Sequence, residues 1–474
     1  MAEKIDIANE LEQASTVDTE TKLLAYFPNG GGHKYISILS VLNGSYACRR
    51  WDTTASSPIG EAYGNIDYLA NLPSTLGLGC YLVDTNHGRR KLDATDHYKY
   101  ADGSTAALDG SEGDYMWGWS AAWYYATWYE GDYLYEAIGL NPIPGKQNYF
   151  IPVASTSALG VAVMDRDTGQ LVSVVNNDAR YRGGDNDSTK DTAYNTLLGR
   201  AATKMTSEAF GTAARVKGTG WEGYWIGHSA AIGILFRIIF GTCHVQTDYN
   251  ASKDSNGLYQ GGLGSGVTGA GTWWTGSDGY NYYPFLPTSV GVELGDSCGV
   301  SSYAVPASDG STAATVNVPV FFGLKNFYGY LNRWGRGELI YKNENGEAEH
   351  YVCPSLHQNY SMSSLDGLEL ANTAPANDPA GWLYITQLSM NKLVHSPTVA
   401  TASSSTYYCD GYYNDNAVSA FRVPARGGAA SSSGIAGLEY LSVSFGVTAT
   451  DAYCGSPLCE AEIDWSLTAT VVNA

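Results

Sequence analysis

Charge is scarce in this chain. Asp, Glu, Lys and Arg make up 16% of its 474 residues, which favours a loop-rich β or α+β protein over a helical bundle. Basic residues are scarcer still. The 27 Lys and Arg face 47 Asp and Glu, a net charge of −20, so a phosphate backbone is a poor partner and no nucleic acid is expected. A long apolar run is also missing. The longest, residues 226–240, is broken by His228 and Arg237 and is too short to span a bilayer, so a soluble chain with no membrane partner is expected. The opening Met1-Ala-Glu-Lys-Ile-Asp-Ile-Ala8 has no basic and no apolar stretch of the kind a secretory signal needs.

Chemistry-bearing patterns are equally thin. Eight Cys in 474 residues fall far below the density of a disulfide scaffold. Cys454 and Cys459 have a C-x4-C spacing, but no second pair accompanies them to make a zinc site. The His residues form no ligand-spaced pair, and no Gly-x-Ser-x-Gly elbow frames Ser229 beside His228. Gly183-Gly-Asp-Asn-Asp187 lacks the ligand register of a calcium loop and reads as a turn. No metal, cofactor or catalytic group is therefore expected.

What the chain does have is Gly (55) and Tyr (36), and they gather near its end, in residues 407–459. That region reads Tyr407-Tyr-Cys-Asp-Gly-Tyr-Tyr-Asn-Asp-Asn416, then Phe421-Arg-Val-Pro-Ala-Arg-Gly-Gly428, a Ser run, and Leu438-Glu-Tyr-Leu-Ser-Val-Ser-Phe445. Tyr, Ser, Asn, Asp and Gly combine rigid aromatic area with adaptable hydrogen bonding, as antibody paratopes do. From Leu441, apolar side chains recur at Val443, Phe445 and Val447, while Tyr440, Ser442, Ser444 and Thr448 take the other parity. A strand of that period buries the first set and presents the second, with presented side chains roughly 6–7 Å apart.

Three regions are expected. Residues 1–27, with Ile5, Ala8, Leu11 and Ala14 at three-residue spacing, suit a short amphipathic helix or assembly arm. Residues 28–110 alternate apolar runs with turn signals and read as a small β-rich unit ending near Asp109-Gly110. Residues 111–474 form the larger domain, its core starting in the aromatic run Met116-Trp-Gly-Trp-Ser-Ala-Ala-Trp-Tyr-Tyr125. Within it a helix is expected over 192–210, and a buried helix over 226–240 with Gly241 placed to stop it. A Gly-rich excursion over 257–279 carries Trp273 and Trp274, and strands are expected over 316–322 and 382–385.

Phe322-Gly-Leu-Lys-Asn-Phe-Tyr-Gly-Tyr-Leu-Asn-Arg-Trp334 resembles the GLEN-x-x-GN-x-W segment of C-type lectin folds related to formylglycine-generating enzymes. Arg422-Val-Pro-Ala-Arg-Gly-Gly428 resembles the R-x-x-x-RGG segment of the same proteins. Lys325 stands where that family usually has Glu, and Ala429 where it usually continues with Ser and Trp. The subset it resembles is the phage receptor-binding proteins and the variable proteins of diversity-generating retroelements, over roughly residues 111–474. The resemblance implies an α+β, C-type-lectin-like C-terminal domain with a diversified face. The Glu-Pro-Asn and Gln-Pro-Asp triplets of calcium-dependent sugar binding do not occur.

On this reading the chain is a virion protein, a tail or head fibre. It recognises a host cell-surface protein or glycan, meets other virion proteins through its N-terminal region, and forms a homo-oligomer, a trimer by analogy. The expected ligand-binding residues are Tyr407, Tyr408, Tyr412, Tyr413, Ser431, Ser432, Ser433, Glu439, Tyr440, Ser442, Ser444, Asp451 and Tyr453. A structural or decoration protein with the same fold is the alternative. An oxygenase of the formylglycine-generating type is a third. In those enzymes the Cys pair follows the RGG segment closely, whereas more than twenty residues intervene here.

Overall fold

A helix that is apolar all round has to be covered on every side, and the strands of this chain do that for one helix. The structure is a computed structural model. It describes residues 46–268, 284–307, 309–376, 380–415 and 417–472, together with the backbone of the strands Lys22–Phe27 and Gly32–Ser37. Strands dominate the described residues, which hold three α-helices: α1 (Ile66–Leu76), α2 (Ser207–Arg215) and α3 (Ile226–Phe240). The fold is β-rich with few helices.

All the side chains of α3 are buried. Gly241 ends it at φ 66°, its N–H bonded to the Arg237 carbonyl, the left-handed cap that glycine adopts without a Cβ penalty. This matches the expected helix and its stop. No helix among the described residues is long and apolar enough to cross a membrane.

Two six-stranded sheets contact α3. The first runs Thr470–Val471, Gln147–Ile151, Trp123–Glu130, Tyr133–Gly139, Tyr46–Asp52, Glu61–Gly64. The second runs Trp221–Glu222, Cys459–Glu460, Ala154–Ser157, Asp114–Trp119, Gly79–Val83, Arg89–Lys91. Trp117, Trp119 and Trp123 of the expected aromatic run are buried in the shared core. The boundary expected near Asp109-Gly110 falls inside these sheets. Tyr46–Asp52 pairs along its whole length with Tyr133–Gly139, and Gly79–Val83 pairs with the strand that starts at Asp114. One hydrophobic cluster runs from Ala47 to Leu467, so residues 46–110 share a core with the rest of the chain. Turn signals near 110 mark a loop between paired strands, which local sequence cannot tell from a linker.

Other expectations shift. Of the helix expected over 192–210 only the end is helical: residues 192–206 hold no α-helix, and α2 starts at Ser207, where the Thr206 side chain accepts from the Ala209 N–H as an N-cap. Lys22–Phe27, placed in the helical arm, is a strand paired with Gly32–Ser37, while residues 1–21 lie outside the described residues. So do residues 269–283, which include the second half of the Gly-rich excursion expected over 257–279, with Trp273 and Trp274. The strands expected over 316–322 and 382–385 correspond to Thr312–Phe321 and Gly381–Tyr384.

The C-terminal sheet runs Glu369–Ala374, Ala348–Val352, Glu338–Lys342, Ala420–Arg426, Leu441–Phe445, Gly411–Asn414, Gly381–Tyr384, with Asn332–Trp334 pairing Ala420–Arg426 off that path. The two stretches that carry the family resemblance therefore meet: Arg333 is opposite Arg426, and Trp334 opposite Ala425.

Candidate ligand-binding site

Leu441–Phe445 is an inner strand, antiparallel to Ala420–Arg426 and parallel to Gly411–Asn414. Leu441 and Val443 are fully buried against Ile340, Ile385 and Tyr412, as the alternation requires. Phe445 and Val447, expected inward with them, are half-buried, and Phe445 lines the cavity beyond the register shift in the pairing with Ala420–Arg426. The opposite parity does not reach open solvent. Tyr440 and Ser442 are each 3% exposed, and Ser444 is half-buried. The flat, projecting row expected from the pattern is replaced by a recessed one, because side chains from other segments rise around it. Tyr440, Ser442 and Ser444 line a cavity of about 470 Å³ together with Trp382 and Tyr413 from the sheet edge, Ser431 and Ser432, Phe445, Tyr453 and Asn332.

The aromatic members are in mutual contact. The Trp382 ring lies 5.1 Å from both Tyr413 and Tyr440, and Phe445 lies 5.1 Å from Trp334 and 6.4 Å from Tyr453. Trp382 is 40% exposed, a large apolar surface held by neighbours and open to a ligand. The Ser442 and Ser444 hydroxyls are 3.0 Å apart. Asn332 is buried, and its Oδ1 has no hydrogen-bond partner. Burial pushes the Tyr453 phenol up to about 12 and the Tyr440 phenol higher, so both keep their protons at neutral pH. Asp, Glu, Lys, Arg and His are absent from the lining residues. The site can stack and hydrogen-bond, but it has no group suited to proton transfer near neutral pH.

A rigid frame lies behind it. Arg426 donates to Glu338 at 2.7 Å and to the Val394 carbonyl at 3.0 Å, and His350 meets the other Glu338 oxygen at 2.6 Å. Gly427 and Gly428 have φ of 85° and 78°, and a Cβ on Gly427 would stand 2.2 Å from the Arg333 guanidinium. Glycine is required there on both counts.

Where a relative could have fixed the reading, none does: no known protein family and no curated protein matches this chain. The site has to be judged on its geometry. Seven of the expected residues converge on the cavity: Tyr413, Ser431, Ser432, Tyr440, Ser442, Ser444 and Tyr453. Tyr407 and Tyr408 line a different cavity of about 300 Å³, with Trp51, Tyr129 and Gln387. Ser433 and Asp451 are absent from the lining of either. Tyr412 is fully buried, paired beside Leu441.

Glu439 is a core ion-pair partner. It meets Arg237 of α3 and, at 3.2 Å, His395. Arg237 in turn holds Glu136 in a two-point contact at 2.7 and 3.0 Å. Burial alone would raise the Glu439 carboxyl, but His395 and Arg237 outweigh it and hold the group down at about 2. Composition places Glu439 in the site because nothing local reveals a buried cation 202 residues away. Sequence reasoning misses Trp382 and Asn332. The strand pattern around Trp382 and the resemblance segment around Asn332 are visible, but their convergence is not.

The cysteines occupy structural positions. Cys454 sits beside Asn332 in one sheet, and Cys459 pairs across from Thr156 and Glu222 in another. Burial pushes both thiols up, Cys454 well above the usual thiol range and Cys459 to about 12. Ligand atoms of Cys80, His97 and Asp296 lie within 4.8 Å of one another. Two ammonium groups already serve that cluster: Lys91 pairs with Asp296 at 2.9 Å, and Lys325 donates to the Tyr115 hydroxyl at 2.8 Å. The hydroxyl also meets His97 at 2.5 Å. Positive charge opposes a metal there, and Lys325 has a packing reason to stand where the lectin-like proteins usually carry Glu.

Proposed function

We propose that the chain is a receptor-binding protein of a bacteriophage particle, and that the cavity beside Trp382 is its recognition site. In this reading the C-type-lectin-like part lies in residues 111–474 and is completed by strands from residues 46–91. The observation that carries it is the convergence of Tyr413, Ser431, Ser432, Tyr440, Ser442, Ser444 and Tyr453 on one cavity. Composition, strand alternation and the family resemblance together single out these residues across a span of about forty positions. The adjacency of the two family-like segments, Arg333 opposite Arg426, supports the lectin-like reading.

Recognition here involves no bond making. Tyr and Trp offer large contact area at low conformational cost, and Ser and Asn adapt the hydrogen bonding. The strands and the Gly427-Gly428 turn hold them in place. Several copies per particle would multiply a weak single-site affinity. Diversification of the gene's end would alter the lining residues and leave Leu441 and Val443 constant. The test is attachment of the purified protein to cells of the bacterial host. Trp382→Ala and Tyr413→Ala should abolish attachment, while Tyr194→Ala, exposed and outside the cavity, should not. Attachment that survives both cavity substitutions overturns the reading.

A further inference from the structure

We infer, resting on the recognition reading above, that the cavity takes the ring of a neutral sugar and does so without calcium. Charge is the first argument. The chain carries −20, and none of the lining side chains is ionic. An anionic or cationic ligand group would be desolvated there with no partner, which is strongly unfavourable. A calcium ion would find no carboxylate to bind, and hard cations need several oxygen ligands with charge among them.

Shape is the second argument. About 470 Å³ lies within the roughly 300–1,000 Å³ of small-molecule sites, whereas a protein partner typically covers about 800 Å² of surface on each side.

Chemistry is the third. A pyranose has an apolar C–H face and a rim of hydroxyls that both donate and accept. Trp382, backed by Tyr413 and Tyr440, offers the flat surface that such a face covers. Ser442 and Ser444, 3.0 Å apart, offer donors and acceptors to the rim.

The experiment titrates the purified full-length protein with methyl glycosides of glucose, galactose, mannose, rhamnose, N-acetylglucosamine and N-acetylgalactosamine. Glucuronate and N-acetylneuraminate serve as anionic counterparts. Binding is read by tryptophan fluorescence and saturation-transfer NMR, with and without EDTA. At least one neutral glycoside should bind saturably and unchanged by EDTA, and the anionic sugars should not bind. Trp382→Ala should weaken binding at least tenfold with an unaltered thermal melt, since that ring is partly exposed on an edge strand, and Tyr413→Ala should weaken it in the same direction. The inference falls if no neutral glycoside binds, if EDTA abolishes binding, or if binding survives both substitutions. Host-cell attachment of the same variants separates the two levels. Attachment that needs Trp382 but resists periodate treatment of the cells overturns the sugar and leaves recognition standing. Attachment indifferent to Trp382 and Tyr413 overturns both.

Discussion

Glu439 shows how much one side chain can hold when water is excluded. It joins α3, through Arg237, to the segment carrying His395. Removing one partner of such a buried pair strands the other charge, so Glu439→Gln should cost about 3–5 kcal/mol at neutral pH. The pH dependence has a definite sign. The carboxyl titrates near 4.5 when unfolded and at about 2 when folded, so its contribution is complete above pH 4.5 and is lost as pH falls towards 2. Urea melts at pH 7 and pH 3 should show the gap between wild type and variant narrowing at the lower pH. An equal gap at both would refute this assignment.

His228 acts in a higher window and in the same direction. Burial holds its imidazole down at about 4, its ring against Trp465 and its Nε2 on the Glu460 carbonyl at 3.1 Å. The unfolded chain takes up this proton near 6.5, so stability falls as pH drops from 6.5 towards 4. The two values imply a loss of about 3 kcal/mol from this one group. His228→Gln should flatten the dependence of the urea midpoint between pH 6.5 and 4.5. Because burial also lowers His97 and His350, part of the slope should remain in the variant.

At the scale of elements, α3 and the strand Leu441–Phe445 respond to opposite constraints. Gly233 lies on α3 where the helix passes Glu439. Alanine is the better helix former by about 1 kcal/mol, yet its Cβ would stand 2.6 Å from a Glu439 oxygen and 3.2 Å from the Arg237 guanidinium. Overpacking of this kind costs about 1–3 kcal/mol, so Gly233→Ala should lower the thermal midpoint despite its gain in propensity. In the strand, Val443 is fully buried and Val443→Ala should cost about 2 kcal/mol. Ser444 is half-buried at the cavity, and Ser444→Ala should stay within about 0.5 kcal/mol. Comparable losses from both would mean that the cavity wall is core.

At the scale of the molecule, the decisive feature is that both six-stranded sheets draw strands from either side of residue 110. A fragment beginning at residue 111 would leave Tyr133–Gly139 without its partner Tyr46–Asp52, and Asp114–Trp119 without Gly79–Val83. It would also expose apolar surface from the shared core and two unpaired strand edges. Such a fragment should show no cooperative thermal transition, whereas one beginning at residue 46 should retain it. A cooperative melt from the shorter fragment would restore the boundary.

The sequence by itself determined the elements whose cause is local. A continuous apolar run followed by glycine makes α3 and its cap. Alternation makes Thr312–Phe321 and puts Leu441 and Val443 inward, and the Gly427-Gly428 pair marks left-handed backbone. It also placed seven cavity residues in one compositional group, because small polar and aromatic side chains signal contact surface wherever they fall. Only the tertiary structure decided what depends on distant partners. It put Glu439 in the core by bringing Arg237 to it, turned an expected open face into a recess by raising Trp382 and Tyr413 around Ser442, and joined residues 46–110 to the later sheets. Periodicity reports which side of a strand is apolar. What covers the other side is set by chain segments far away in sequence, and no local pattern encodes it.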